Sequence, residues 1–122
     1  MTTMVFVEAP GKQDLFTTRG ATLYDAFTIT YNDVAIDLTG WRARFKCWLH
    51  DSAIGTTSAL SLDELSGITL GTTSGTVVIK ATPTQTRTLS AGRYDYQLEF
   101  EDALGNVQTY RTGSLNVEEE IA

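Results

Sequence analysis

Two stretches of the chain alternate between apolar and polar residues, with Trp48 as the one exception. In residues 41–49 the apolar positions are Trp41, Ala43, Phe45, Cys47 and Leu49, with Arg42, Arg44 and Lys46 between them. In residues 94–101 the apolar positions are Tyr94, Tyr96, Leu98 and Phe100, alternating with Asp95, Gln97, Glu99 and Glu101. A period of two is typical of a β-strand with one face in a core and the other in water. Because one polar face is cationic and the other is mainly anionic, we predict that the two strands are neighbours, where each opposite-charge pair contributes roughly 0.2–1 kcal/mol.

The rest of the chain consists of shorter apolar runs separated by turn residues. Strands are predicted within residues 4–8, 13–19, 22–31, 34–40, 68–70, 76–81 and 107–117. A single helical turn is predicted over residues 83–90, and an exposed loop anchored by Leu60, Leu62 and Leu65 over residues 50–66. Short strands with frequent turn signals and no long amphipathic helix predict an all-β fold. We expect a single antiparallel immunoglobulin-like β-sandwich of seven to nine short strands, without the Cys-Trp-Cys signature of true immunoglobulin domains.

The length of 122 residues fits one domain with a core of its own. We assign residues 13–117 to the β-sandwich and residues 118–122 to an acidic tail. Residues 1–12 are either an N-terminal arm or the first strand of the domain. The apolar run within this segment could pair with an edge strand of a neighbouring subunit, or it could belong to its own sheet.

Charge and cysteine content narrow the partners that we expect. The net charge of −6 argues against binding to nucleic-acid backbones, which requires clustered Lys and Arg. The N-terminus lacks the basic start and long apolar run of a signal peptide, and no stretch has the ~20 apolar residues of a membrane span. We therefore expect a protein made in the cytoplasm, with no nucleic-acid or membrane partner. The single cysteine, Cys47, excludes an internal disulfide and is expected in the core.

The sequence offers little chemistry for catalysis. His50 is the only histidine and is followed by Asp51, but adjacent residues rarely form the hydrogen bond that orients a catalytic imidazole. A metal site normally needs several His or Cys ligands at defined spacing, and this chain has one of each. Residues 71–75 lack the Gly-Lys-Thr ending of a phosphate-binding loop and are predicted to join two strands of a hairpin. We expect no enzyme activity, no metal and no cofactor.

Several aromatic and apolar residues are candidates for contacts with other proteins. Trp48 falls on the polar face of its strand, where it is either covered by a neighbouring loop or exposed as an interface anchor. Tyr24 and Tyr110 also lie opposite the most apolar face of their strands. Val5 and Phe6 belong to the apolar run of the N-terminal arm. We therefore name Val5, Phe6, Tyr24, Trp48 and Tyr110 as interface candidates.

An ordered series of strand and turn motifs resembles a known group of proteins. The motifs are Thr-Arg-Gly-Ala-Thr-Leu at 18–23, Ile-Asp-Leu-Thr-Gly-Trp at 36–41, Gly-Ile-Thr-Leu-Gly at 67–71 and Gly-Arg-Tyr-Asp-Tyr-Gln-Leu at 92–98. Their succession is similar to small β-sandwich structural proteins of tailed bacteriophages and prophages, including the N-terminal domains of baseplate-upper-protein-like chains. The resemblance covers residues 13–117. Each motif alone is only a turn and a strand, and their order carries the likeness.

The resemblance implies a non-enzymatic structural protein of the virion with no catalytic residues. It places the protein in the tail, baseplate or fibre-attachment region, where it contacts other virion proteins and copies of itself. A capsid decoration protein is the alternative within this class. A carbohydrate-binding module that recognises a surface glycan, with Trp48 and Tyr24 or Tyr110 stacking on sugars, is an alternative from another class.

Overall fold

The computed structural model describes residues 11–31, 33–50, 58–71 and 74–119. They contain eleven strands and one helix, listed here in chain order: β1 Gly11–Lys12, β2 Leu15–Thr18, β3 Leu23–Thr28, β4 Thr30–Tyr31, β5 Val34–Ala35, β6 Arg42–Leu49, β7 Leu60–Asp63, β8 Ile68–Leu70, β9 Thr76–Ala81, α1 Pro83–Arg87, β10 Gly92–Glu101 and β11 Val107–Glu118. The all-β prediction is confirmed. The number of strands exceeds the expected seven to nine, and three of the eleven are only two residues long.

The strands form a large sheet, a small sheet and a separate two-stranded hairpin. In the large sheet the order is β1-β11-β10-β6-β7, and β2 also pairs with β11. In the small sheet the order is β3-β9-β8, and β4 pairs with β5. Most pairs are antiparallel, as expected, but β1 and β2 run parallel to β11. The sheets are therefore mainly antiparallel, as predicted, with two parallel pairs where the first and last described strands are neighbours that run in the same direction.

The two strongly alternating stretches pair as their charges predicted. β6 and β10 are antiparallel, with Arg44 opposite Glu99 and Lys46 opposite Gln97. The Arg44 guanidinium lies 2.8 Å from a Glu99 carboxylate oxygen and 3.4 Å from one of Glu101. Arg44 thus binds two carboxylates of the neighbouring strand. Its apolar neighbours Ala43 and Phe45 point to the other face and are buried.

Reversing the charge of Arg44 tests this register. We expect Arg44→Glu to lower the free energy of unfolding by about 1 kcal/mol, because it places a carboxylate opposite two others on a partly exposed face. Adding Glu99→Lys should restore much of the loss. Urea unfolding of the single and double variants measures both effects. Lys46→Glu is the matched control, since residue 46 faces Gln97 and should cost less. A double variant no more stable than Arg44→Glu would contradict a direct pairing.

The core lies between the two sheets and draws side chains from both. Its fully buried members include Phe45, Tyr96 and Leu98 of the large sheet and Val77 and Ile79 of the small sheet. Between the sheets, the Phe27 ring of β3 stacks on the Tyr110 ring of β11 with centroids 5.5 Å apart. Cys47 is also buried there, and burial raises the pKa of its thiol to about 12. The core thus contains Ala43, Phe45 and Cys47 of the first alternating stretch and the whole apolar face of the second, as predicted. Trp41 is only partly buried, and Leu49, predicted on the same face, is 52% exposed at the end of β6.

A β-bulge interrupts β11 midway. Leu98 of β10 is opposite Arg111 and Glu99 is opposite Thr109, so Tyr110 is an extra residue on the β11 side. Tyr110 and Arg111 are consequently both buried, 8% and 3% exposed, although they are adjacent in sequence. The bulge reverses the alternation expected for this strand.

The parallel pairing of the N-terminal strands depends on Gly113. Between β1 and β2, the Gln13 N–H donates to the Thr112 carbonyl and the Gln13 carbonyl accepts from the Tyr96 hydroxyl at 2.5 Å. A Cβ on Gly113 would lie 2.2 Å from that carbonyl oxygen of Gln13. The absence of a side chain at Gly113 therefore lets the N-terminal strand approach β11 closely.

The predicted helical turn is present as α1, between β9 and β10. Thr82 caps it by accepting from the Gln85 N–H, while the Gln85 side chain accepts from the Thr82 N–H, and Pro83 fits the first helical position. The Thr86 hydroxyl is fully buried and accepts from the Gly20 N–H. Arg19 donates to the carbonyls of residues 87 and 89. These bonds fix the helix to the turn that follows β2.

The prediction of an exposed loop over residues 50–66 was wrong in its second half. Residues 60–63 form β7 at the edge of the large sheet, and Leu60 and Leu62 are buried against β6. Leu65, expected as an anchor, is 89% exposed. Residues 51–57 lie outside the described part of the chain. The alternation Leu60-Ser61-Leu62-Asp63 is too short to distinguish a strand from an anchored loop by pattern alone.

Candidate functional surfaces

The structure does not bring the predicted interface residues together. Tyr24 is 62% exposed on β3, whereas Trp48 and Tyr110 are buried, at 7% and 8% exposure. Val5 and Phe6 lie outside the described residues. Of the three candidates that the structure describes, only Tyr24 therefore presents its side chain to solvent.

Trp48 is covered, which is one of the two alternatives that the sequence left open. It lies on the outer face of the large sheet opposite Asp95, away from the main core cluster. A large apolar ring is usually buried even at the edge of a fold, because it removes much apolar surface from water. Trp48 therefore does not form an exposed anchor in this structure.

Tyr110 belongs to the core because of the bulge in β11. Strict alternation assigned it to the outer face with Thr112 and Ser114, but the extra residue turns it inward. Its ring packs between Phe27 and Phe100, with centroids 5.5 and 5.3 Å away. The expectation of an exposed Tyr110 was wrong for this reason.

A buried ion pair between the two sheets was not predicted. Arg111 of β11 binds the carboxylate of Asp25 on β3, and only 2% of the Arg111 side chain is exposed. Its guanidinium carbon lies 4.9 Å from the centre of the Phe27 ring and 5.8 Å from that of Tyr96, which are cation–π distances. Among the described residues the Arg111 Nε has no hydrogen-bond partner. One signal was available in the sequence, since Asp25 falls between Leu23 and Phe27 on the apolar face of β3.

An open groove of about 390 Å³ crosses the outer face of the large sheet. Its polar lining includes Lys12, Asp14, Arg93, Asp95, Gln97 and Thr112. The Asp14 carboxylate accepts from the Ser114 N–H at 3.2 Å, and this bond lowers the pKa of Asp14. The groove offers charged and hydrogen-bonding groups to a polar ligand or to a neighbouring protein.

His50 lies beside this groove and pairs with a carboxylate other than the adjacent Asp51. Its Nδ1 is 3.1 Å from an Asp95 carboxylate oxygen, and Asp95 is opposite Ser114 in the sheet register. The Ser114 hydroxyl accepts from the Asn116 side chain at 2.9 Å.

In the part of the chain that the structure describes, no three His, Cys, Asp or Glu side chains form a group that could hold a metal ion. The same residues include no helix long and apolar enough to cross a membrane.

Four exposed apolar side chains lie on or beside turns whose backbones are in contact, and we call this region the hairpin end. It comprises the β4–β5 hairpin, residues 36–40, residues 74–75 and residues 102–107, which are the β10–β11 turn and the first residue of β11. The Ile29 N–H donates to the Gly75 carbonyl, and a Cβ on Gly40 would touch Ala103, so these connections are in contact. This end carries four of the eight exposed large hydrophobic side chains of the described residues: Tyr31, Val34, Leu104 and Val107.

Asp102 fixes the β10–β11 turn at this end. Its carboxylate accepts from the N–H groups of Leu104 and Asn106, both at 2.9 Å. Burial alone would raise the pKa of Asp102, but these bonds together lower it. Leu104 is therefore held outward on an ordered turn.

Comparison with known proteins yields no assignment. No family model matches the sequence, and no curated protein matches it.

Proposed function

We propose that this protein is a non-enzymatic structural component of a bacteriophage particle, in the tail, baseplate or fibre-attachment region. The observation that carries the proposal is the hairpin end, where Tyr31, Val34, Leu104 and Val107 are 47–66% exposed. Clustered apolar groups on an ordered surface are typical of protein–protein contacts. The ordered strand and turn motifs that resemble small phage proteins supply the biological setting.

We also propose that the domain is an immunoglobulin-like sandwich, and the order of its strands supports this. Immunoglobulin-like sandwiches place strands A, B, E and D in one sheet and G, F and C in the other, to which variable-type domains add C′. The small sheet β3-β9-β8 corresponds to B-E-D, and the run β11-β10-β6-β7 of the large sheet corresponds to G-F-C-C′. Tyr94 at the start of β10 donates from its hydroxyl to the Ser90 carbonyl at 2.9 Å, like the tyrosine corner of such domains.

Packing against copies of itself and other virion proteins is the proposed mode of action. The hairpin end provides apolar contacts, and the groove of the large sheet provides charged and polar ones. A capsid decoration protein would use the same two surfaces and remains the alternative placement. The carbohydrate-binding alternative has less support, because Trp48 and Tyr110, two of its three proposed stacking residues, are buried.

Particle incorporation tests the proposal. We expect the chain to be present in particles purified after induction of its source bacterium, and a tagged copy to localise to the tail or baseplate by immunogold electron microscopy. A Val34→Asp/Leu104→Asp variant should be incorporated at least roughly tenfold less, because two charges at the centre of an apolar contact oppose its burial.

Leu65→Asp is the matched control, since Leu65 is 89% exposed but lies between β7 and β8, outside the hairpin end. It should be incorporated like the unmodified chain. A chain that is abundant in the cell lysate but absent from purified particles would refute the proposed function. Normal incorporation of the double variant would refute the role of the hairpin end.

A further inference from the structure

The groove on the outer face of the large sheet follows from the sizes of the side chains on neighbouring strands. Thr112 of β11 lies between Lys12 of β1 and Gln97 of β10 in the register of the sheet. Two residues further along β11, Ser114 lies opposite Asp95. The small side chains of β11 therefore form the floor of the groove, and the longer polar side chains on either side form its walls.

The charges on the two walls balance. Lys12 and Asp14 line one side of β11, and Arg93 and Asp95 line the other side. Each wall thus carries one cation and one carboxylate, so the groove has no excess charge that would select an ionic ligand. The cations supply hydrogen-bond donors, the carboxylates supply acceptors, and Gln97 supplies both. A ligand that donates and accepts at many positions fits this lining best.

The backbone beneath the groove is already paired on both sides. β11 has β10 as one neighbour and β1 and β2 as the other, so its ladder of N–H and C=O groups lies within the sheet. An added peptide strand would find no free ladder here, although such a ladder supplies most of the affinity in strand addition. Hydrogen bonds to a ligand in this groove must therefore come from side chains.

An exposed aromatic ring lies beside one end of the groove. Phe16 of β2 is opposite Asn116 of β11, and Asn116 is opposite Arg93 of the groove wall. Because Asn116 is two residues from Ser114 on the same strand, Phe16 is on the same face of the sheet as the groove. The residue is 71% exposed. The electron-rich face of such a ring attracts the C–H groups of a sugar ring.

The dimensions of the groove suit a short chain of linked rings. Its volume of about 390 Å³ lies within the range of about 300–1,000 Å³ that is typical of small-molecule sites. Lys12 pairs with Thr112 and Phe16 pairs with Asn116, so the wall between them is extended. Four extended residues span about 13 Å. The groove and the ring together are therefore elongated.

We propose that this groove binds a short, uncharged oligosaccharide, whose hydroxyl groups bond to the polar walls while one sugar ring packs on Phe16. A hydroxyl group both donates and accepts, so it can use the cations and the carboxylates alike. The site shares no residue with the set Tyr24, Trp48 and Tyr110 considered above for carbohydrate binding. This inference does not depend on the proposed phage function, since it concerns the isolated protein. In a particle, the site would serve on copies whose groove no neighbouring protein covers.

A glycan array, followed by NMR titration of the full-length protein, tests this site. We expect binding to neutral oligosaccharides on an array that also carries acidic ones. The strongest neutral binder should shift the amide signals of residues 93–97 and 112–116. In the variant Phe16→Ala/Gln97→Ala, its affinity should fall by roughly tenfold or more, because a stacking ring and a hydrogen-bonding group are lost. Unchanged amide signals of Val77 and Ile79 in the core would show that the variant remains folded.

Tyr24→Ala is the matched control, because Tyr24 is a 62% exposed aromatic residue on the small sheet, outside the groove. It should bind the oligosaccharide like the original protein. No binding on the array, binding to acidic oligosaccharides only, or equal affinity of the double variant would overturn the proposal. If the array showed no binding but the double variant were incorporated poorly into particles, the groove would be a protein contact. That result would also overturn the saccharide site, while the proposed function would stand.

Discussion

Asp25→Ala is expected to lower the free energy of unfolding by about 3 kcal/mol. The substitution leaves the Arg111 guanidinium buried without its carboxylate, and breaking a buried ion pair on one side typically costs 3–5 kcal/mol. The lower end of that range applies because 19% of the Asp25 side chain is exposed and water can partly replace it. Urea unfolding followed by tryptophan fluorescence measures the loss.

The double variant Asp25→Val/Arg111→Met separates charge from packing. It removes both charges and fills the space with apolar groups, which is often neutral or stabilising. We expect the double variant to be more stable than Asp25→Ala and close to the original protein. If both variants lost the same stability, the cost would come from altered packing of Phe27 and Tyr96 instead of an unpaired charge.

Gly113→Ala should destabilise the protein by about 2–3 kcal/mol, the upper part of the usual range for overpacking. The new Cβ would lie 2.2 Å from the Gln13 carbonyl oxygen, a backbone atom that cannot move without shifting the N-terminal strand. We also expect faster exchange of the Gln13 N–H, which now donates to the Thr112 carbonyl. Urea unfolding and amide exchange provide the two measurements.

Gly92→Ala is the control for this prediction. Gly92 has a φ of 149°, close to the 158° of Gly113, but its Cβ would meet no atom within 4 Å. Because Gly92→Ala has a similar backbone angle but no clash, it should lower the free energy of unfolding less than Gly113→Ala does. Equal losses at both positions would mean that conformational freedom, and not the close approach of Gln13, makes glycine necessary at 113.

The elements that could be predicted from the sequence are those whose local pattern of apolar and polar residues is nearly unbroken. Residues 41–47 and 94–101 alternate regularly and carry opposite charges, so both the existence of β6 and β10 and their pairing followed from the sequence. The helical turn predicted over residues 83–90 is also a local signal, and α1 confirms it at Pro83–Arg87.

The errors occurred where distant segments determine the structure. The parallel pairing of β2 with β11 depends on Gly113, which is about a hundred residues away in the sequence. No short sequence pattern predicts a contact between segments so far apart. The bulge at Tyr110 is a property of two paired backbones, so alternation along β11 alone placed that ring on the wrong face.

The candidate surfaces were predicted less well than the fold for a related reason. Exposure of Tyr24 followed from alternation in a regular strand. Burial of Trp48 depends on neighbours outside its own strand, and the Asp25–Arg111 pair joins two sheets. An inward-facing Asp25 indicated a buried partner, but its identity required the register of β11.

The parallel arrangement of the terminal strands determines how the domain responds to tension. β1 and β2 begin at one end of the ladder and β11 finishes at the other, so a pull on Gly11 and Glu118 in opposite directions slides the strands along each other. During this sliding, the interstrand hydrogen bonds all bear the force at the same time. If the terminal strands were antiparallel, the same pull would break their hydrogen bonds one after another. The ion pair between Arg19 and Glu119, with a separation of 2.7 Å, adds a further bond at the far end. We therefore expect tension applied at these two points to be resisted by shear of the β1–β11 and β2–β11 pairs.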